Sequence, residues 1–139
     1  MTKFQLDVDY DFGFRLIGIS CHAKDYRLCW ALNNQLGIQL EKVHRENASS
    51  GLKKNGIAIE SLYSFFDEEN HSSYQLLHNK HNNNLLLPEQ KLADFLLIID
   101  QMNDESFEDL MKKLKQVELV NTAFIIDVNT LKSKENLIF

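Results

Sequence analysis

Proline and glycine are scarce in this sequence, which has one proline and five glycines among 139 residues. Their scarcity excludes a disordered or low-complexity chain. Long apolar runs are also missing, because no stretch approaches the roughly 18 to 20 residues that a membrane span requires. The start, "MTKFQLDVDYDFGF", lacks the basic-then-apolar order of a signal peptide. We therefore expect a cytoplasmic protein with no membrane partner.

Cysteine is nearly absent as well, with only Cys21 and Cys29 in the chain. Two unpaired thiols suit the cytoplasm, where they are kept reduced. Cys29 would need a base beside it to act as a nucleophile, and His22 lies about two helical turns away. We predict two buried thiols, with a redox pair as the alternative.

Basic residues are outnumbered: 15 lysines and arginines face 20 aspartates and glutamates, for a net charge of -5. This balance disfavours a nucleic-acid partner, because such binding depends mostly on cations that displace counterions from phosphates. A glycine-rich phosphate loop, a G-x-S-x-G elbow and a C-x-x-C pair are all absent. We expect no cofactor and no catalytic residues, which makes a binding protein the favoured class and an enzyme the disfavoured one.

Three histidines, His71, His78 and His81, fall close together and raise the question of a metal site. His78 and His81 straddle the end of a predicted strand, where positions three apart point to opposite faces. No cysteine or well-placed carboxylate completes a closed set of ligands. We therefore predict no metal.

Two segments have the period of an amphipathic helix. In residues 24–36, "KDYRLCWALNNQL", Asp25 suits the first turn and Gly37 supplies a stop. Its apolar side is predicted to hold Tyr26, Cys29, Trp30, Leu32 and Leu36. The second helix is predicted to begin at the N-cap Ser106, with the apolar stripe Phe107, Leu110, Met111, Leu114 and Val117.

Strands are predicted from alternation and from short apolar runs. Phe14–Cys21 and Ala93–Ile99 are dense in apolar residues and should be central. The other predicted strands are 3–9, which should be an edge, 38–43, the hairpin of 57–66 with 73–79, and 122–128. The polar run 44–56 is predicted to be a loop.

This order of elements predicts one α+β domain over residues 1–139. Its two helices should lie on one face of a mainly antiparallel sheet of five to six strands, in a ferredoxin-like or ACT-like plait. Because the central strands are apolar on both sides, the other face of the sheet needs cover. We expect that cover from the C-terminal "NLIF" or from a second subunit.

The first helix carries candidate binding residues on an otherwise apolar segment: Asp25, Tyr26, Arg27 and Asn33. Asp25 and Arg27 are two positions apart, so an ion pair between them is not expected. These side chains could hold a ligand or a partner chain. We favour the structural interpretation, in which Asp25 caps the helix and Arg27 is solvated.

The segment 87–100, "LPEQKLADFLLIID", contains the only proline and two acids ahead of an apolar run. Pro88 suits a turn where no ladder hydrogen bond is wanted. Glu89 and Asp94 could form a site. We favour a structural role instead, in which residues 89–92 make one helical turn and the Asp94 carboxylate accepts N–H groups of that turn.

The same segment resembles the signature I-P-E-x-x-x-V-D-Y of a family of small bacterial proteins. Pro88, Glu89 and Asp94 match as written, whereas Leu87, Ala93 and Phe95 stand where the signature has Ile, Val and Tyr. Residues 16–19, 25–33 and 131–139 are also similar to the family. The family has no assigned activity, cofactor or substrate, so the resemblance implies no site residues beyond the motif.

Three functions stay open at this point. The favoured one is a non-enzymatic cytoplasmic adaptor or regulatory protein that acts through a protein interface, with a homodimer as one option. The second is an ACT-like sensor of an amino acid or metabolite, with its ligand carboxylate at the strand-to-helix junction 20–26. The third is an enzyme of unrecognised type that uses Glu89 and Asp94.

Overall fold

A computed structural model describes residues 14–43, 53–54, 57–58, 62–81 and 84–128. Within them lie two helices, α1 (Asp25–Leu36) and α2 (Asp104–Leu114). The strands are β1 (Arg15–Ser20), β2 (Glu41–Lys42), β3 (Lys53–Lys54), β4 (Ile57–Ala58), β5 (Tyr63–Asp67), β6 (Ser72–His78), β7 (Lys80–His81), β8 (Asn84–Leu85), β9 (Phe95–Asp100) and β10 (Thr122–Ile126). The predicted strand 3–9, most of the predicted loop 44–56 and the C-terminal "NLIF" lie outside the described residues.

Six strands form one sheet in the order β10-β1-β9-β6-β5-β2, and every neighbouring pair is antiparallel. The α+β prediction, with two helices and an antiparallel sheet, is confirmed. The four strands β10-β1-β9-β6 have the order of a ferredoxin-like plait. Helix α2 connects β9 to β10 across β1, whereas α1 leads from β1 to β2 at the far edge of the sheet. Strands β5 and β2 extend that plait on one side. No helix in the described part of the chain is long and apolar enough to cross a membrane.

The helix ends follow local chemistry. Gly37 adopts the left-handed conformation, with φ of 70°, and its N–H donates to the Asn33 carbonyl at 3.0 Å, so the predicted stop is confirmed. The predicted N-cap of α2 is wrong. Asn103 caps the helix, and its side-chain oxygen accepts the N–H of Ser106 at 2.7 Å. The cap lies one turn earlier because the acids Asp104 and Glu105 suit the first turn better than the positions before it.

The predicted hairpin is present but begins later than expected. Strand β5 starts at Tyr63 and pairs with β6 from Tyr63 opposite Leu76 to Asp67 opposite Ser72. Residues 57–58 pair instead with β3 in a separate two-stranded ribbon. The apolar run 57–66 is therefore divided between two strands, which a single-window reading of periodicity cannot detect.

Both helices pack on one face of the sheet. Leu28 and Leu32 of α1 and Leu110 and Leu114 of α2 join the inward side chains of the strands in one core. Arg15 ties α2 to β1, because its Nε donates to the Met102 carbonyl at 3.0 Å and its guanidinium lies 4.6 Å from the centre of the Phe107 ring.

The opposite face of the sheet is covered from within the chain. Leu16, Leu77, Leu96, Ile98 and Ile126 form a second apolar cluster there. Leu86, Leu87 and Ala93, from the connection between β8 and β9, close it together with Val128. In the described residues this cover comes from the "LLLPEQKLA" segment, residues 85–93, which was not among the expected sources. The C-terminal "NLIF" lies outside the described residues, and the second subunit stays a prediction.

Gly18 allows the sheet to pack closely on that face. A Cβ atom at this position would lie 2.6 Å from the Phe124 ring. The ring occupies the space that a side chain on β1 would otherwise need.

Candidate functional site

Asp25, in the first turn of α1, points inward. The Tyr63 hydroxyl donates to Asp25 Oδ2 at 3.1 Å, and His78 Nε2 lies 3.9 Å from the same oxygen. The His78 ring lies against Phe95, with 4.7 Å between ring centroids. Asp25 thus joins the start of α1 to β5 and β6, and only 18% of its side chain is exposed.

Tyr63 is a strongly perturbed titratable group in this cluster. Burial, followed by the charge and hydrogen bond of Asp25, raises the pKa of Tyr63 to about 12. The folded protein therefore holds the phenol proton more tightly than the unfolded chain, in which tyrosine titrates near about 10. The arrangement favours a neutral phenol that donates to a carboxylate.

This shift predicts a stability change at high pH. The stabilisation is fully present below about pH 10 and is lost as the pH rises towards about 12, because the unfolded chain releases the proton first. We expect urea midpoints of the wild-type protein to fall across that window, and to fall less in Tyr63→Phe. Equal slopes of stability against pH for the two proteins would contradict the assignment.

Asn33 links the end of α1 to the segment that follows it. Its Oδ1 accepts the Leu40 N–H at 2.8 Å and its Nδ2 donates to the Leu40 carbonyl at 3.2 Å. The side chain thus pairs with Leu40 as a neighbouring strand would. This candidate binding residue is committed to a structural contact.

The two cysteines are buried free thiols, as one of the two sequence readings predicted. Burial raises the pKa of both Cys21 and Cys29, which lowers the thiolate fraction and their reactivity. Cys29 Sγ lies 3.5 Å from the Leu40 carbonyl, and His22 is exposed. No group of three potential metal ligands comes together within the described residues.

Several polar groups of the strand-to-helix junction 20–26 are engaged within the fold. The Cys21 N–H donates to Asp94, and the Lys24 carbonyl accepts from the N–H groups of Arg27 and Leu28. Lys24 is the N-cap of α1, but its side chain makes no capping hydrogen bond. The sensor hypothesis therefore depends on the first N–H groups of α1 alone.

The motif residues Pro88, Glu89 and Asp94 separate in space. Pro88 and Glu89 are exposed on a turn closed by the Gln90 N–H and the Leu87 carbonyl at 3.0 Å, and a second turn joins Ala93 to Gln90. The expected single helical turn is wrong, because two successive tight turns carry the chain instead. Pro88 takes the second position of the first turn, where its fixed φ is favourable.

Asp94 bonds to distant parts of the chain and not to its own turn as predicted. Its Oδ2 accepts the Cys21 N–H at 2.8 Å, and its Oδ1 lies 3.0 Å from Lys80 Nζ. Its backbone N–H donates to the Ile19 carbonyl at 2.8 Å. Asp94 therefore fixes β9 beside the end of β1, a contact that sequence reading cannot identify because the partners are far apart along the chain.

Asn79 is the polar residue that the sequence did not single out. Its side chain is buried and makes three hydrogen bonds: Nδ2 donates to the carbonyls of Gln90 and Ala93, and Oδ1 accepts the Leu87 N–H. These bonds, of 2.7 to 2.9 Å, hold the "LPEQKLA" segment against the sheet. An asparagine after a strand is an ordinary turn signal, so no local pattern marks this role.

Tyr26 and Trp30 correct the predicted apolar side of α1. They are 61% and 70% exposed, while Leu28, Cys29 and Leu32 are buried. At about 100° per residue, Trp30 falls on the side of the helix opposite Leu28 and Leu32. Their exposure leaves two large aromatic rings on the surface, beside Arg27.

These rings border a cleft of about 670 Å³ between α1 and the residues that follow α2. We call it the aromatic cleft, and its border includes Tyr26, Arg27, Trp30, Gln35, Gln116 and Leu119. Gln35 Nε2 donates to the Lys113 carbonyl at 3.1 Å, which fixes one wall against the end of α2. Tryptophan, tyrosine and arginine are the residue types most enriched at binding hot spots, and all three are exposed on this surface.

A second cleft, of about 450 Å³, lies between the β5–β6 turn and α2 and is strongly polar. Asp67 organises the turn, because its carboxylate accepts from the Glu69 N–H, the Asn70 N–H and Asn70 Nδ2. These bonds, that from the Asn70 side chain first, lower the pKa of Asp67. Its carboxylate is thus used to build the turn.

Comparison of this chain with protein-family models, curated proteins and solved structures found no match. The resemblance to the I-P-E-x-x-x-V-D-Y family stays a prediction.

Proposed function

We propose that the protein is a non-enzymatic cytoplasmic adaptor or regulatory subunit that binds a partner protein through the aromatic cleft. One observation carries the proposal: Trp30 and Tyr26 are 70% and 61% exposed on the face of α1 that also presents Arg27. Exposing such rings to water is unfavourable unless a partner covers them. Trp, Tyr and Arg also dominate the energy of measured interfaces.

The engagement of the other candidate groups supports a non-enzymatic role. Asp94 is bonded to Cys21 and Lys80, Asn33 to Leu40, and Asp25 to Tyr63. Each contact stabilises the fold. The I-P-E-x-x-x-V-D-Y resemblance fits this view, since its two acids lie at and beside a structural turn.

The proposal is tested by quantitative affinity purification of the tagged protein from its own cells, in parallel with Trp30→Ala. We expect the variant to lose its specific partner, because truncating a hot-spot tryptophan weakens binding by roughly 2 kcal/mol or more, about thirtyfold. Its fold should be intact, since the side chain is mostly exposed. Far-ultraviolet circular dichroism and a urea titration check the fold.

Leu92→Ala is the matched control, because Leu92 is also a large exposed apolar residue, at 76%, and does not line the aromatic cleft. It should retain the partner. Recovery of the same proteins at the same abundance with all three baits would refute the proposed surface.

A further inference from the structure

We infer that the partner segment that docks in the aromatic cleft is acidic and amphipathic, with an apolar anchor for the cleft and a carboxylate for Arg27. This inference rests on the proposed function and specifies its partner. It follows from the charges around the cleft and from the chemistry of the cleft floor.

Among the described residues that line the cleft, Arg27 is the only cation, and it is exposed. Among the described residues it makes no ion pair, whereas Arg15 pairs with Asp104 and Lys80 with Asp94. The neighbouring acid Asp25 is turned inward to Tyr63. The guanidinium can therefore offer its donors to a bidentate carboxylate from outside.

The chain next to the cleft is also basic. Lys24 is the N-cap of α1, three residues before Arg27. Lys112 lies in the last turn of α2, and Lys115 is its C-cap, next to the lining residue Gln116. All three lysines are exposed, and no ion pair involves them within the described residues. The described lining itself holds one cation, Arg27, and one acid, Glu118, so any excess of positive charge on this surface comes from the flanking lysines. It should attract an acidic segment and repel a basic one.

The cleft floor requires an apolar group as well. Ala31, Val117 and Leu119 line the cleft together with the two aromatic rings, and Val117 is buried. Its volume of about 670 Å³ is within the range of about 300 to 1,000 Å³ that is typical of ligand pockets. A partner segment with one large aliphatic or aromatic side chain could pack that side chain on the apolar lining, and an acid nearby in the same segment could pair with Arg27.

The experiment selects peptides that bind the full-length protein from a phage library of random peptides of about a dozen residues. A counter-selection against Trp30→Ala protein removes the peptides that do not need the cleft. The expected Trp30-dependent peptides combine one or two large apolar residues with an excess of Asp and Glu. One enriched peptide is then titrated against the protein. Trp30 is the only tryptophan, so its fluorescence reports directly on the cleft.

Arg27→Gln should weaken that peptide by about three- to tenfold, as expected for a half-exposed charged contact, and added salt should weaken the wild-type complex in the same direction. Lys91→Gln, which removes an exposed cation that does not line the cleft, is the matched control and should bind as the wild type does.

The outcomes separate the two proposals. Trp30-dependent peptides that are neutral or basic, or an Arg27→Gln variant that binds normally, would overturn the acidic segment and leave the docking surface standing. A selection that yields no Trp30-dependent peptide would overturn both. If the wild type is a dimer in solution and Trp30→Ala is a monomer, the occupant is a second copy of this chain and the acidic-partner inference is wrong.

Discussion

The Asn79→Ala variant is expected to lose about 3 to 5 kcal/mol of unfolding free energy, a large share of the stability of a domain of this size. The substitution leaves the Leu87 N–H and the carbonyls of Gln90 and Ala93 without their partner in a buried site. Each unsatisfied buried polar group costs roughly 1 to 3 kcal/mol.

Loss of these bonds should also release the segment that covers the second face of the sheet, because Leu86, Leu87 and Ala93 belong to that cluster. The measurement is a urea titration, in which we expect a lower midpoint. Amide hydrogen exchange should show faster exchange at Leu87 and Ala93 than at the centre of β9.

Asn34→Ala is the matched control for Asn79. Asn34 is exposed and makes one side-chain bond, from Nδ2 to the Trp30 carbonyl at 3.0 Å. Its removal should change the free energy of unfolding by less than about 0.5 kcal/mol. A comparable small effect at Asn79 would mean that the covering segment holds without it.

The Leu96→Ala variant is expected to lose about 3 to 4 kcal/mol, as much as Leu97→Ala. The two residues point to opposite faces of β9, and both are fully buried. Leu97 packs under the helices, and Leu96 packs under the "LLLPEQKLA" segment. In a sheet with one face open to water, the Leu96 substitution would be far less costly.

Urea titrations of the two variants measure this comparison directly, since ΔΔG at neighbouring positions of one strand shares the same unfolded state. Leu92→Ala, at an exposed leucine of the covering segment, should stay within about 0.5 kcal/mol of the wild type. A cost at Leu96 below half of that at Leu97 would show that the second face is poorly covered in solution.

These two effects explain what the proline motif does. Pro88 sets the first of two tight turns, Asp94 fixes the start of β9 to Cys21, and Asn79 binds the segment between them. The motif residues therefore help to hold the "LLLPEQKLA" segment against the second face of the sheet. The aromatic cleft, where we propose that a partner binds, lies on α1, on the other face of the sheet.

Several parts of the fold could be predicted from the sequence because their causes are local. The C-terminal stop at Gly37 follows from one left-handed residue, and the stripe of α2 from Phe107 to Leu114 follows from its period. The continuous apolar run of β9 predicted a strand that is buried on both faces. The antiparallel α+β arrangement followed from the order of these elements.

Other features were decided only by the tertiary structure. Which side of α1 is buried depends on the sheet beneath it, so the sequence placed Trp30 in the core and the fold leaves it 70% exposed. Asn79 and Asp94 act on partners that the fold brings to them, as in the bond between Asp94 and Cys21 at 2.8 Å. The spacing of apolar residues along a chain predicts helices and strands, because it is a local property. The partner of a buried polar group and the exposed side of a helix depend on segments that are distant in the sequence, so only the tertiary structure determines them.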